Sequence, residues 1–232
     1  MPLFREDVRA LTGGEDPALL LLDLDGTLID SVPDLASACD FMLTELGRAP
    51  AGIEKVSHWI GNGADKLVRR ALADGCEQAA EELPDAEVGA ARIHFDRAYL
   101  RVLTEATGAF PGVEAFLQAL TIPAILITNK PRLFTLPLLR SLGWQDHFVK
   151  VICGDDLKEK KPSPVPVQFA CEWQRTVPER ALMIGDSVND IRAAHAAGAA
   201  AIAVSYGYNH GHSIHSAGAD LVCDQLQELL EI

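Results

Sequence analysis

Five short apolar runs, at residues 18–22, 122–127, 149–153, 181–184 and 200–204, each break into a polar turn and then into a stretch of helical periodicity. Runs this short suit strands buried on both faces better than helices. A parallel neighbour is reached only by a crossover, so strands alternating with helices build a parallel sheet covered by helices. The pattern predicts an α/β fold with a Rossmann-like core. Helices are expected at 112–120, 132–142, 164–172, 188–197 and 225–230, and Pro166 puts the third in question beyond its first turn.

The alternation is interrupted once, because no strand-like run occurs between Asp30 and about Thr107. Ser31 can cap a helix with Pro33 in its first turn, Leu35, Ala38, Met42 and Leu46 recur at helical spacing, and Gly47 is placed to end it. Further helical stretches are expected at about 64–72 and 85–103, before Thr107, Gly108, Pro111 and Gly112 turn the chain back to the sheet. The expected organisation is a discontinuous core of residues 1–29 and 107–232 around a helical cap of residues 30–106.

Acidic residues outnumber basic ones 33 to 20, and the net charge of -13 repels nucleic acid and anionic membrane. A small phosphorylated metabolite remains compatible, since a metal ion and a lysine or two reverse the potential inside a cleft. The five cysteines lie far apart without a CxxC pair, as expected of reduced packing residues. The first residues, MPLFREDVRALTGGEDP, interrupt their apolar positions with charges, unlike a signal peptide, and no apolar run approaches the roughly 18 residues of a membrane span. A cytoplasmic monomer or homodimer is expected.

The chemistry-bearing residues stand where the runs end. In LLLDLDGTLIDS, Asp23 and Asp25 are two apart and so share one side of a strand, at the carboxyl edge where open α/β sheets bind ligands. Carboxylates this close repel unless a cation or a shared proton intervenes. GDSVND brings Asp186, followed by Ser187 and Asp190, to the same edge. The expected cation is magnesium, held by Asp23, Asp25 and Asp186 and including a backbone carbonyl, because the donors are hard oxygens and zinc would want more His or Cys. Thr128 and Asn129, closing AILIT, offer a hydroxyl and N–H groups to a phosphoryl group, and Lys161 in KKPSP offers a positive charge.

DLDGTLIDS, ITNKP, KKPSP and GDSVND, in that order, resemble the four motifs of the haloacid dehalogenase superfamily, and the helical insert resembles its cap. DSVPDLASA, WIGNGADKLVRRAL, the full TNKP and YGYNHG are similar to phosphoglycolate phosphatases within that superfamily. The resemblance covers the chain from Leu19 onward and gives residues 1–17 no role. It implies a magnesium-dependent phosphatase, acting most readily on 2-phosphoglycolate, in which Asp23 attacks phosphorus to form an aspartyl-phosphate. Asp25 would act as general acid and then base, and Asp190 would orient Lys161 or a metal-bound water. A phosphosugar phosphatase or a β-phosphoglucomutase-like mutase would use the same motifs. A receiver-type signalling domain also combines acidic residues, a phosphorylated Asp, Thr and Lys, but the length of the insert argues against it.

Each motif also has a plainer reading. Asp25-Gly26 can be a simple turn, Asp186 a helix cap, Thr128 to Pro131 a strand-ending turn, and Lys161 a solvated lysine. Gly61-Asn62-Gly63 is either an ordinary connection or a cap loop whose N–H groups face the substrate's anionic end. Lys66, Arg69 and Arg70 are expected on the surface of their helix, Tyr206 to Asn209 in a structural loop, and His210, His212 and His215 in a hydrated loop instead of a metal site.

Overall fold

The computed structural model describes residues 2–231. A short helix α1 (Glu6–Ala10) leads to strand β1 (Leu19–Leu22) and a two-residue strand β2 (Ile29–Asp30). Helices α2 (Val32–Glu45), α3 (Gly52–Trp59), α4 (Ala64–Leu72), α5 (Glu77–Glu82) and α6 (Asp85–Val102) follow with no strand between them. Strand β3 (Gly108–Ala109) then pairs antiparallel with β2, which ties together the two points where the chain leaves and re-enters the α/β part. The alternation resumes as α7 (Val113–Ala119), β4 (Ala124–Ile127), α8 (Arg132–Ser141), β5 (Lys150–Ile152), α9 (Val165–Gln174), β6 (Ala181–Gly185), α10 (Val188–Ala197), β7 (Ala200–Val204) and β8 (Leu221–Cys223).

The six longer strands form one parallel sheet in the order β5-β4-β1-β6-β7-β8. Counted in chain order within that sheet this is 3-2-1-4-5-6, the doubly wound order whose reversal falls between β1 and β6. The buried run of β1 shows why the sequence settles there. Leu20 and Leu22 enter one apolar cluster with Phe4, Phe116 and Phe134, while Leu19 and Leu21 enter the other with Val167, Cys171 and Ile191. A strand apolar on both faces is stable only at the centre of a covered sheet.

Several expectations need correction. Helix α9 runs past Pro166 to Gln174, because Pro166 lies in the first turn, where its missing N–H has no intrahelical role. Residues 226–229 form a 3₁₀ turn instead of an α-helix, and the Leu229 carbonyl accepts from Arg5 N at 3.0 Å. This pairing is made with residues 1–17, for which the sequence offered no role. Phe4 and Val8 are fully buried, and Asp16 accepts from the N–H groups of Leu3 and Phe4 at 2.7 and 2.9 Å. Ser31 stands at the N-cap of α2, but its side chain makes no cap hydrogen bond, since its hydroxyl is used elsewhere. Among the cysteines, Cys39, Cys153, Cys171 and Cys223 are buried but Cys76 is exposed.

Candidate active site

The strand ends converge at the reversal point of the sheet. Asp23 continues β1 by donating its N–H to Ile184 O at 3.0 Å, and the chain then turns sharply at Gly26. The close packing there excludes a side chain, for a Cβ on Gly26 would stand 2.3 Å from Asp186 Oδ2, and one on Gly207 would stand 2.1 Å from Asp186 Cβ. Thr128 and Asn129 follow β4, Asp186 and Ser187 follow β6, and Lys161 arrives on the loop before α9. All six of these residues are less than a tenth exposed.

Lys161 Nζ donates to Asp23 Oδ1 at 2.7 Å, Asp190 Oδ1 at 2.6 Å and Ile127 O at 2.6 Å, so every hydrogen of its ammonium has an acceptor. Burial works against its charge, but Asp190 and Asp23 outweigh burial and hold its pKa above the usual lysine value. Asp190 is used on both oxygens, because Oδ2 accepts from Ser187 N at 3.1 Å and Ser187 Oγ at 2.8 Å in a capping box at the start of α10. Asp186 accepts from Tyr208 N at 2.7 Å and from Thr27 Oγ1 at 3.3 Å.

Among the described residues, one group of His, Cys, Asp or Glu side chains is close enough to share a metal ion. It consists of Asp23, Asp186 and Asp190, each offering an oxygen within 4.8 Å of the others. Burial raises the Asp23 carboxyl well above the usual carboxylate range, with Asp190 and Asp186 adding to the effect and Lys161 opposing it. Burial and the adjacent Asp190 push Asp186 up to about 7. Three buried carboxylates against one ammonium make a site short of positive charge, and the all-oxygen donor set fits a hard divalent cation.

The Asp25 carboxylate is not in that group. Its Oδ1 accepts from Ser31 Oγ at 2.5 Å and from Lys130 Nζ at 2.8 Å. It lines one cavity together with Asp23, Thr128, Asn129, Lys161, Ser187 and Asp190. The helical segment closes that cavity with Leu35, Ile60, Leu67, Phe95 and Tyr99.

Gly61 and Gly63 also line the cavity, but Gly61 turns its carbonyl to the core, accepting from Asn129 Nδ2 at 3.1 Å and Asn189 Nδ2 at 3.4 Å. Asn62 Oδ1 accepts from Arg70 NH1 at 3.0 Å and is not part of the lining. Arg69, Arg70 and Lys66 are held by Asp85, Glu77 and Glu81, stapling α4 to the following segment. The Tyr206 and Tyr208 hydroxyls donate to Thr27 O and Asp30 Oδ1, fastening the turn after β1. The His210 ring packs against Gly61, where a Cβ would stand 2.7 Å from its Cε1.

The sequence points to Ser31 only as a helix cap and to Lys130 only as part of a strand-ending turn, yet both touch Asp25. For Lys130 a signal existed, since a lysine one residue beyond Thr128-Asn129 stays at the ligand-binding edge of the sheet.

Comparison with known proteins places this arrangement. The model of the haloacid dehalogenase-like hydrolase family matches residues 17–198. A phosphoglycolate phosphatase of Pseudomonas putida is 46% identical over 220 residues, covering 94% of this chain and 80% of the relative. Phosphoglycolate phosphatase 1 of Pseudomonas aeruginosa is 47% identical, covering 92% and 79%. The crystal structure of a predicted phosphoglycolate phosphatase from Haemophilus somnus superposes with a TM-score of 0.84 at 36% identity, covering 90% of this chain and 94% of that one. With the family model spanning most of the chain and these relatives nearly all of it, the chain belongs to the haloacid dehalogenase-like hydrolases.

Proposed function

We propose that this phosphatase hydrolyses 2-phosphoglycolate to glycolate and phosphate through an aspartyl-phosphate on Asp23, with magnesium, beneath a cap formed by residues 30–106. The observation that carries the reading is the asymmetric use of Asp23, whose Oδ1 is fixed by Lys161 while Oδ2 has no protein partner among the described residues. A buried carboxylate with one oxygen anchored and one free is a pre-aimed nucleophile. The choice of substrate is supported by the activity named for relatives 44–47% identical to this chain. Nothing in the cavity favours the mutase reading, and membership of the hydrolase family removes the receiver reading.

Asp23 Oδ2 attacks phosphorus, and Asp25, on the same cavity wall, gives its proton to the departing alkoxide. Thr128 Oγ1, which accepts from Lys130 N at 3.1 Å, keeps its own hydrogen for a phosphoryl oxygen. Water then attacks the acyl phosphate with Asp25 as base, and Lys161 holds the regenerated Asp23 in place. Asp23, Asp186 and the Asp25 carbonyl would hold magnesium, with Asp190 fixing Lys161 beside it. When bound, the ion offsets the clustered carboxylates and draws charge from the phosphoryl oxygens. Apolar walls from α2, α4 and α6 keep bulk water from the acyl phosphate.

Phosphate release from a panel of small esters tests the substrate. With magnesium present, kcat/KM for 2-phosphoglycolate should exceed that for hexose phosphates by roughly 10²-fold or more, since a site built around one polar group rejects ligands that lack it. A hexose phosphate as the best substrate, or phosphoryl return to a sugar, would overturn the assignment. Asp25→Asn should slow turnover by roughly 10²–10⁴-fold, the usual worth of a general acid or base. Near-normal kcat in that variant would remove Asp25 from proton transfer.

A further inference from the structure

The two lysines that line the cavity differ in how much of their hydrogen-bonding capacity the protein uses. Lys161 is saturated by three protein acceptors. Lys130, with a side chain only 4% exposed, has one acceptor among the described residues, Asp25 Oδ1 at 2.8 Å. Another face of its ammonium lies over the Tyr99 ring, 4.8 Å from the centroid. An ammonium carries three N–H donors, so two remain without a protein acceptor, and the ring offsets only part of the lost hydration. A buried cation left in that state is stabilised by whatever anion enters beside it.

Its position limits the anion. Lys130 touches Asp25, the group that serves the bridging oxygen, and so stands at the leaving-group end of the substrate. The phosphoryl end belongs to Asp23, Thr128 and Lys161. In a glycolate ester the carboxylate carbon lies two bonds from the bridging oxygen, so a cation in contact with Asp25 is within reach of that carboxylate. Around Lys130 the wall is mainly aromatic, with Tyr99 and Phe134 centroids 4.8 Å apart and Phe95 packed against both. The Gly61 carbonyl on the facing loop is already taken by the side-chain amides of Asn129 and Asn189.

We propose that Lys130 reads the substrate's carboxylate, giving its unmet hydrogens to the acid group of a short O-phosphorylated 2-hydroxy acid and so seating the bridging oxygen beside Asp25. The proposal rests on the phosphoglycolate reading above and deepens it, since it names the residue and the substrate class. Lys130 is then a specificity determinant, and its contact with Asp25 is the resting arrangement from which it meets the ligand.

The test compares 2-phosphoglycolate with 2-hydroxyethyl phosphate, which has the same phosphoryl end and a neutral tail. Wild-type enzyme should prefer phosphoglycolate by roughly 10²-fold in kcat/KM, and Lys130→Gln should bring that ratio to within a few-fold of unity, the scale of a lost charge-assisted contact. Lys130→Met, which keeps the aliphatic stem over Tyr99 and avoids a new buried polar group, is the companion variant should the first lack native near-ultraviolet circular dichroism. The loss should fall mainly on KM for phosphoglycolate, with activity on the neutral ester reduced far less. A wild-type preference that survives in a folded variant, with both substrates slowed equally, overturns the Lys130 assignment alone. A wild type with no preference for the carboxylate overturns the substrate reading together with this one.

Discussion

Asp23→Asn is expected to lower phosphate release by about 10⁴-fold or more and to leave no phosphorylated protein after a denaturing quench during turnover. The amide keeps the shape of the carboxylate and can still accept from Lys161, so the fold should persist. What disappears is the anionic oxygen at Oδ2, the atom left without a protein partner, and with it the acyl phosphate. The wild-type protein quenched with substrate should carry one added phosphoryl group on the peptide containing Asp23. The two readouts separate a lost nucleophile from weakened metal binding, because a protein with poor metal affinity would regain turnover at high magnesium. Near-normal turnover in this variant, or a phosphoryl group on another residue, would sink the mechanism.

How far the site could be read from sequence depends on how local each residue's role is. Asp23, Thr128 and Asp186 end apolar strands, and strand order alone brings such ends together at the reversal between β1 and β6. The insert was legible because a run of helices with no strand cannot continue the alternation. Shorter elements were not. Strand β8 has three residues and is recognisable only through its pairing with β7, and α3 and α5 carry too few buried positions to show a period.

The misread polar residues share a cause. Ser31 looked like a helix cap from local spacing, but its hydroxyl is claimed by Asp25, six residues earlier and across the turn. The sequence points to Asn62 only through the N–H groups of its loop, and its side chain is held by Arg70 from the next helix. Lys130 meets an aromatic ring from α6 and a carboxylate from the loop after β1, a conjunction that no pattern around residue 130 contains. Local chemistry marks which side chains reach the edge of a sheet, and tertiary competition then decides which of their hydrogen bonds remain for a ligand.

Removing magnesium should abolish turnover, magnesium should restore it, and calcium should not, because its larger and looser shell misplaces the nucleophile. Turnover that persists after exhaustive chelation would exclude the ion from the reaction. The same cluster makes a stability prediction in the metal-free state. Asp186 titrates near its ordinary value of 3.8 when unfolded and near about 7 when folded, through burial and the neighbouring Asp190. Between those values the folded protein holds more protons than the unfolded one, so this group's contribution to stability falls as pH rises from about 4 to about 7 and stays low above it. Asp23 shifts in the same direction, and Lys161 stays charged throughout. Chelated Asp186→Asn, which removes one of the three charges without removing volume, should therefore melt above the chelated wild type at pH 8 and lose that advantage toward pH 4. Magnesium should reverse the order. At 100 times its dissociation constant a ligand specific for the folded state adds about 2.7 kcal/mol, roughly 5–10 °C in Tm for a chain of this size, and the asparagine variant should gain little of it. The measurement is a set of thermal melts of both proteins from pH 4 to 8, with magnesium and with chelator. A chelated variant less stable than wild type at pH 8, or an equal magnesium shift in both, would mean that Asp186 is neither the strained carboxylate nor a ligand of the ion.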